Sequence, residues 1–143
     1  MNKLEKSKRI KVNYYFIIAG FLALLFSLTH ELNGQQTIFP TLSSSNLDVN
    51  ATIAFKYIWR IITAENFIFG IVFIIMGFYK EREKVRFTAW IICAILVARL
   101  LIIIGTTLAM EGQIKDLAID VIAIIVYVMI ILLGTRDKKQ SHT

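Results

Sequence analysis

Residues 87–110, which read FTAWIICAILVARLLIIIGTTLAM, decide the fold class of this chain. Arg99 is the one charged residue in the stretch, and no proline interrupts it. A helix needs about 20 mostly apolar residues to cross the hydrocarbon core of a bilayer. The strands of a membrane β-barrel alternate polar and apolar residues, and this stretch does not. Because backbone polar groups in lipid must be bonded within their own segment, we expect a transmembrane helix.

Three further apolar stretches accompany it in a chain of 143 residues, of which 57% are hydrophobic. The predicted spans cover residues 12–32, 54–79, 87–110 and 117–134. The first also resembles a signal peptide, but no small-residue cleavage site follows its apolar part, so we expect it to remain uncleaved. With short connections and a polar tail at 136–143, we expect an all-α integral membrane protein. Its single domain is a compact up-down bundle of four transmembrane helices.

Basic residues are distributed unevenly along the chain. Five precede the first span, four lie between the second and third, and three are in the tail, whereas the connections 33–53 and 111–116 hold only Lys115. Basic segments stay in the cytoplasm, so we expect an N-in/C-in topology. Abundant Lys and Ile favour a bacterial inner membrane. The net charge of +6 then reflects topology and anionic lipid heads, and no nucleic-acid partner is expected.

Charged residues inside the spans form the first candidate site. Counting about 1.5 Å per residue from the basic segments, Arg99, Glu65 and Asp120 come within about 5 Å of one another in depth. Asn66 is next to Glu65, and Tyr127 is two helical turns from Asp120 on the same face. Charges at such depth tend to be paired and to face protein or water. We therefore expect at least one of the two acids to contact Arg99.

A second polar layer forms the outer rim of the predicted bundle, with His30, Glu31 and Arg60. The inner half of each span carries no charge, so we expect a polar pocket that opens outward and ends near mid-membrane. A catalytic zinc site usually needs three protein ligands, and the only other histidine, His142, is in the opposite tail. We therefore assign no metal and no cofactor, and expect His30 to be a solvated interfacial residue. The structural alternative to a binding pocket is a buried charge network that only fixes the register of the helices.

Small residues and helix caps in the spans predict packing rather than chemistry. Gly70 and Gly77 are seven residues apart on one helix face, where small residues let helices approach closely. Cys93 has no second cysteine to pair with and is expected to pack in the bundle. Asp48 or Asn50 is expected to cap the second span.

Three functions are compatible with these patterns. The first is a non-enzymatic module for binding, sensing or partner stabilisation, whose partners besides the lipid bilayer are a small ligand, another membrane protein or a second copy of the chain. The second is a proton-coupled transporter that uses Glu65 or Asp120. The third is an intramembrane enzyme with His30 and an outer carboxylate as acid and base. The uncharged inner half argues against the second function, and the lack of a nucleophile constellation argues against the third. The first is therefore the expected function.

Overall fold

The computed structural model describes residues 12–110 and 114–136 of the chain. This part is helical and contains no strand. The elements are α1 (Tyr14–Asn33), a π-helical segment (Gly34–Ile38), α2 (Phe39–Ser44), α3 (Val49–Phe78), α4 (Arg82–Ala109) and α5 (Ile114–Thr135). Four helical stretches in it are long and apolar enough to span a membrane, and the first of them runs through α1, the π-helical segment and α2. The prediction of four membrane-length helices is confirmed.

The helices extend further than the apolar stretches do. The predicted loop at 33–53 is wrong, because helix continues to Ser44 and resumes at Val49. Pro40 does not break this helical stretch and lies at the start of α2, directly after the π-helical segment. Helices α4 and α5 likewise begin at Arg82 and Ile114, before the predicted starts at 87 and 117. Hydropathy predicts only the apolar part of a helix. The helix itself continues into polar sequence as long as its terminal backbone N–H and C=O groups find hydrogen-bond partners.

A side-chain cap fixes the start of α3. The Asp48 carboxylate accepts hydrogen bonds from the backbone N–H groups of Asn50 (2.9 Å) and Ala51 (3.3 Å). Such caps satisfy donors that the first helical turn leaves without partners. The capping prediction is confirmed for Asp48. Residues 111–113 of the predicted connection at 111–116, and residues 137–143 of the predicted tail at 136–143, lie outside the described residues.

The closest helix pair is α1 with α3, and glycines make the approach possible. A Cβ atom on Gly20 would lie 2.8 Å from the carbonyl oxygen of Gly70, closer than real Cβ contacts come. A Cβ atom on Gly77 would collide with the side chain of Ile17. Both predicted packing glycines of α3 therefore face α1, and the packing prediction is confirmed.

Asn13 joins three helices at one end of the bundle. Its backbone N–H donates to the carbonyl oxygen of Gly77 (2.8 Å), and its side-chain Nδ2 donates to that of Gly134 (2.7 Å). These bonds tie the start of α1 to the last turns of α3 and α5. We call this the Asn13 end of the bundle, and the opposite end, where α2 lies, the Pro40 end.

The buried core is displaced toward the Asn13 end. Phe16, Phe73 and Ile131 are its largest fully buried side chains, and Cys93 is buried with them as predicted. Toward the Pro40 end, α4 and α5 contribute no residue to this core beyond Leu96 and Tyr127, within the described ranges. Neighbouring helices follow the order α3, α1, α5 and α4, since α1 packs on α3 and α5 packs on both α1 and α4. Because α4 and α5 supply so few core residues toward the Pro40 end, the bundle is less tightly filled there.

Candidate functional site

Arg99 forms a polar bridge between α4 and α3. Its Nη2 makes an ion pair with Oε2 of Glu65, and its Nη1 donates to Oδ1 of Asn66 over 3.2 Å. The side chains of Arg99 and Glu65 are 18% and 32% exposed. Since α4 packs mainly on α5, the bridge adds a direct polar link to α3. The predicted contact between Arg99 and an acid is confirmed.

His30 lies flat against Trp59. The two rings are stacked with centroids 4.0 Å apart and planes 7° apart. The indole Nε1 also donates to the carbonyl oxygen of His30 (3.1 Å). Gly34 provides room for the indole, since a Cβ atom there would overlap it. The Nε2 atom of His30 is buried and has no hydrogen-bond partner in the described structure.

The expectation that His30 is a solvated interfacial residue holds only in part, since the residue is half-buried and its Nε2 atom is shielded from solvent. The reason is that Trp59 comes to the same level on the neighbouring helix and covers one face of the imidazole. Stacking on Trp59 buries apolar surface of the imidazole ring, and it also removes water from the Nε2 atom. Sequence spacing places a residue at a depth, and it does not show which aromatic side chain covers it.

Glu31 is turned toward α3 rather than toward solvent alone. Its Oε1 accepts from Nε2 of Gln35 (2.8 Å), and its Oε2 accepts from the hydroxyl of Thr63 (3.3 Å). The backbone carbonyl of Thr63 in turn accepts from the hydroxyl of Ser27 (2.9 Å). Ser27 and Thr63 were not among the predicted site residues, although Thr63 shares a helix stripe with Gly70.

Rim and mid-span residues together form one group, which we call the polar cluster. It comprises six side chains from α1, α3 and α4: His30, Glu31, Thr63, Glu65, Asn66 and Arg99. Thr63, which donates to Glu31, and Asn66, which accepts from Arg99, lie three residues apart on α3, about one helical turn, so the two predicted layers adjoin. Two carboxylates against one guanidinium leave the cluster with an excess of negative charge.

Two predicted members of the site lie elsewhere. Asp120 is exposed and forms no hydrogen bond or ion pair within the described residues. Tyr127 is 4% exposed and packs edge-on against Phe26 and Phe73, with ring centroids 5.6 and 6.2 Å apart. Its hydroxyl has no hydrogen-bond partner in the described structure. Including Tyr127 in the charge cluster was wrong, because its helix face meets the aromatic core.

Arg60 also lies apart from the polar cluster. Its guanidinium is 5.8 Å from the centroid of the Phe39 ring, and Nζ of Lys56 lies at the same distance from that ring. These two cations border a surface cavity of about 470 Å³ on α3. A second cavity, of about 540 Å³, opens at the Asn13 end, and its lining includes Arg82 and Arg136.

The chemistry available to the polar cluster is hydrogen bonding and charge pairing. Among the described residues, no three His, Cys, Asp or Glu side chains are placed to hold a metal ion. The cluster offers carboxylate acceptors, a guanidinium donor and an imidazole nitrogen that either donates or accepts. Compared with family models, with curated proteins and with solved structures, the chain matches none of them.

Proposed function

We propose that the chain is a multi-pass protein of a bacterial inner membrane, with both ends in the cytoplasm and the Pro40 end outside. Two observations support this placement. Four helices have the length and apolarity of membrane spans, and basic residues are concentrated in the segments at the Asn13 end. Positive segments are retained in the cytoplasm. The polar cluster then lies in the outer half of the membrane.

In this placement the protein acts as a non-enzymatic module that binds or senses a partner at the polar cluster. The observation that carries the proposal is the His30 Nε2 atom, which is buried and has no hydrogen-bond partner within the described residues. Buried polar groups in proteins are nearly always hydrogen-bonded. A group supplied from outside the described chain would complete this one.

The charge of the site indicates the chemistry of that partner. Within the polar cluster, the carboxylates of Glu31 and Glu65 are accompanied by one guanidinium, that of Arg99. A cationic hydrogen-bond donor fits this surplus. A primary amine has both properties, whether it belongs to a small molecule or to a basic side chain of another membrane protein.

A panel of small amines provides the test. The purified protein in nanodiscs is heated with ammonium, ethylamine, putrescine or choline, and its Tm is compared with that in equal sodium chloride. A ligand that binds only the folded state raises Tm. We expect a primary amine to raise the Tm of the wild type, and Glu31→Gln to abolish the rise. Glu81→Gln, which removes a carboxylate at the Asn13 end, should leave the rise unchanged.

Two results would contradict the proposal. The first is a Tm that no amine in the panel raises. The second is a sustained proton flux in liposomes under an imposed gradient, lost in Glu65→Gln, which would identify a transporter instead. We expect no such flux, because the core between the polar cluster and the Asn13 end is built of apolar side chains that give water no hydrogen-bond partners.

A further inference from the structure

One face of α3 at the Pro40 end combines two cations with an apolar surface. The cavity on this face is lined by Ile53, Lys56, Tyr57, Arg60, Ile61 and Ala64. Their spacing of three and four residues places them on a single side of the helix. This side is distinct from the one that packs on α1 and the one that carries the polar cluster.

The two cations on this face have no acidic partner. Within the described residues, Nζ of Lys56 donates to the hydroxyl of Ser43 (3.3 Å), and neither Lys56 nor Arg60 forms an ion pair. Both lie 5.8 Å from the ring centroid of Phe39, which is 7% exposed. An aromatic ring attracts cations over its face. The ring therefore lies beside two positive charges one helical turn apart, which no acid among the described residues neutralises.

The depth of these cations matches the headgroup level of a bilayer. Arg60 precedes Phe78, the last residue of α3, by about 27 Å of helix axis. The hydrocarbon core is about 30 Å thick. If Phe78 lies at one boundary, Arg60 reaches the other, with Lys56 one turn farther out. In the opposite direction, the cavity continues into the hydrocarbon along Ile61 and Ala64.

We propose that this face binds one anionic phospholipid from the leaflet at the Pro40 end. The phosphate is held between Lys56 and Arg60. One acyl chain lies over Tyr57 and Ile61, which are 53% and 58% exposed, and the small side chain of Ala64 leaves space for it. The inference depends on membrane insertion, as proposed above, and is independent of the amine site.

A net negative headgroup is preferred for an electrostatic reason. Each basic residue near a membrane surface contributes about 1 kcal/mol to the attraction of anionic lipid. A zwitterionic headgroup such as phosphatidylcholine brings a cation of its own, which these residues repel. Phosphatidylglycerol has the same phosphate without that cation.

Trp59 provides the readout for this site. The chain has two tryptophans, so Trp90→Phe leaves Trp59 alone. Its ring centroid lies 6.3 Å from that of Phe39, the ring that both cations approach. Brominated lipid quenches a tryptophan only at short range. The protein is reconstituted in phosphatidylcholine, and brominated phosphatidylglycerol or brominated phosphatidylcholine is titrated in.

We expect brominated phosphatidylglycerol to bind at this face about thirtyfold more strongly than brominated phosphatidylcholine, given an attraction of about 1 kcal/mol for each of the two basic residues. The double variant Lys56→Gln with Arg60→Gln should reduce this ratio to near one. The control pair Lys80→Gln with Lys84→Gln removes the same charge at the Asn13 end and should keep the ratio. An unselective wild type, or an unchanged ratio in the double variant, would overturn the proposal.

Three further measurements exclude misfolding of the variants, and binding of a free anion instead of a lipid, as explanations of the result. Arg60→Lys retains the charge and should retain the selectivity, whereas Ala64→Leu retains both cations but fills the cavity and should weaken quenching by both lipids. Water-soluble glycerol phosphate at 10 mM should leave the quenching unchanged. If it displaces the lipid, the site binds free phosphate esters and the lipid assignment is wrong. If Ala64→Leu quenches like the wild type, the acyl chain does not lie in this cavity.

Discussion

Arg99 is the single side chain that connects α4 to α3 through polar contacts, among those described. Its truncation to alanine would leave Glu65 and Asn66 without their partner in a partly buried position. An unpaired group of this kind costs about 1–3 kcal/mol. We therefore expect Arg99→Ala to lower the unfolding free energy in detergent by that amount.

Arg60→Ala is the matched control for this prediction, since Arg60 is exposed and contacts mainly the Phe39 ring. We expect it to cost less than about 1 kcal/mol, as exposed cation–π contacts do. The double variant Arg99→Ala with Glu65→Ala should be more stable than Arg99→Ala alone, because no unpaired carboxylate remains. Equal losses from the two arginines would show that the bridge does not support the fold.

Tyr127 carries a buried hydroxyl that contributes no hydrogen bond to the described structure. Tyr127→Phe keeps the ring contacts with Phe26 and Phe73 and removes only that group. Because a buried polar group without a partner is unfavourable, we expect the Tm of Tyr127→Phe to equal or exceed that of the wild type. Tyr127→Ala should instead cost about 3–5 kcal/mol through lost packing. A clear loss of Tm in Tyr127→Phe would reveal a partner for the hydroxyl.

At the scale of elements, α1 and α3 pack closely because the glycines at their contact carry no side chain. In Gly20→Ala the new Cβ would lie 2.8 Å from a backbone oxygen and 3.0 Å from a backbone nitrogen of α3. Backbone cannot rotate away as a side chain does, so the helices must separate. We expect a loss of about 1–3 kcal/mol, the usual cost of overpacking.

Gly105 offers a control on α4, because nothing lies within 4 Å of a Cβ atom built there. Gly105→Ala should leave stability unchanged or raise it by about 1 kcal/mol, the helix propensity that alanine gains over glycine. Thermal or denaturant unfolding of both variants in the same detergent measures the difference. If Gly20→Ala and Gly105→Ala behave alike, α1 and α3 do not pack as closely as described.

For the whole molecule, the proposed orientation is tested by labelling single cysteines. On a Cys93→Ser background, Ser44→Cys lies at the Pro40 end and should react with an impermeant thiol reagent in intact cells. Glu83→Cys lies at the Asn13 end and should react only after permeabilisation. Both positions are exposed, so burial does not confound the comparison. Protection of Ser44→Cys, or labelling of Glu83→Cys in intact cells, would contradict the N-in/C-in topology.

The sequence by itself determined the number of membrane-length helices and the level along the bundle at which Arg99 meets Glu65. Both properties add along the chain: hydropathy sums over a window, and depth grows by a constant rise per residue. The pairing of these two residues followed because a charge at that depth must find a partner. The packing of Gly70 and Gly77 could be predicted for a similar reason, since a small-residue stripe is a local pattern.

Only the tertiary structure decided which side of each helix meets which neighbour. Asp120 and Tyr127 lie two turns apart on one helix, yet the first is exposed and the second is buried in the aromatic core. His30 was placed at the correct level, and its stacking on Trp59 depends on how α1 and α3 cross. Such contacts follow from the close approach at Gly20 and Gly34. Rotation about the helix axis is set by packing against the neighbouring helices, and no sum along a single segment contains that information.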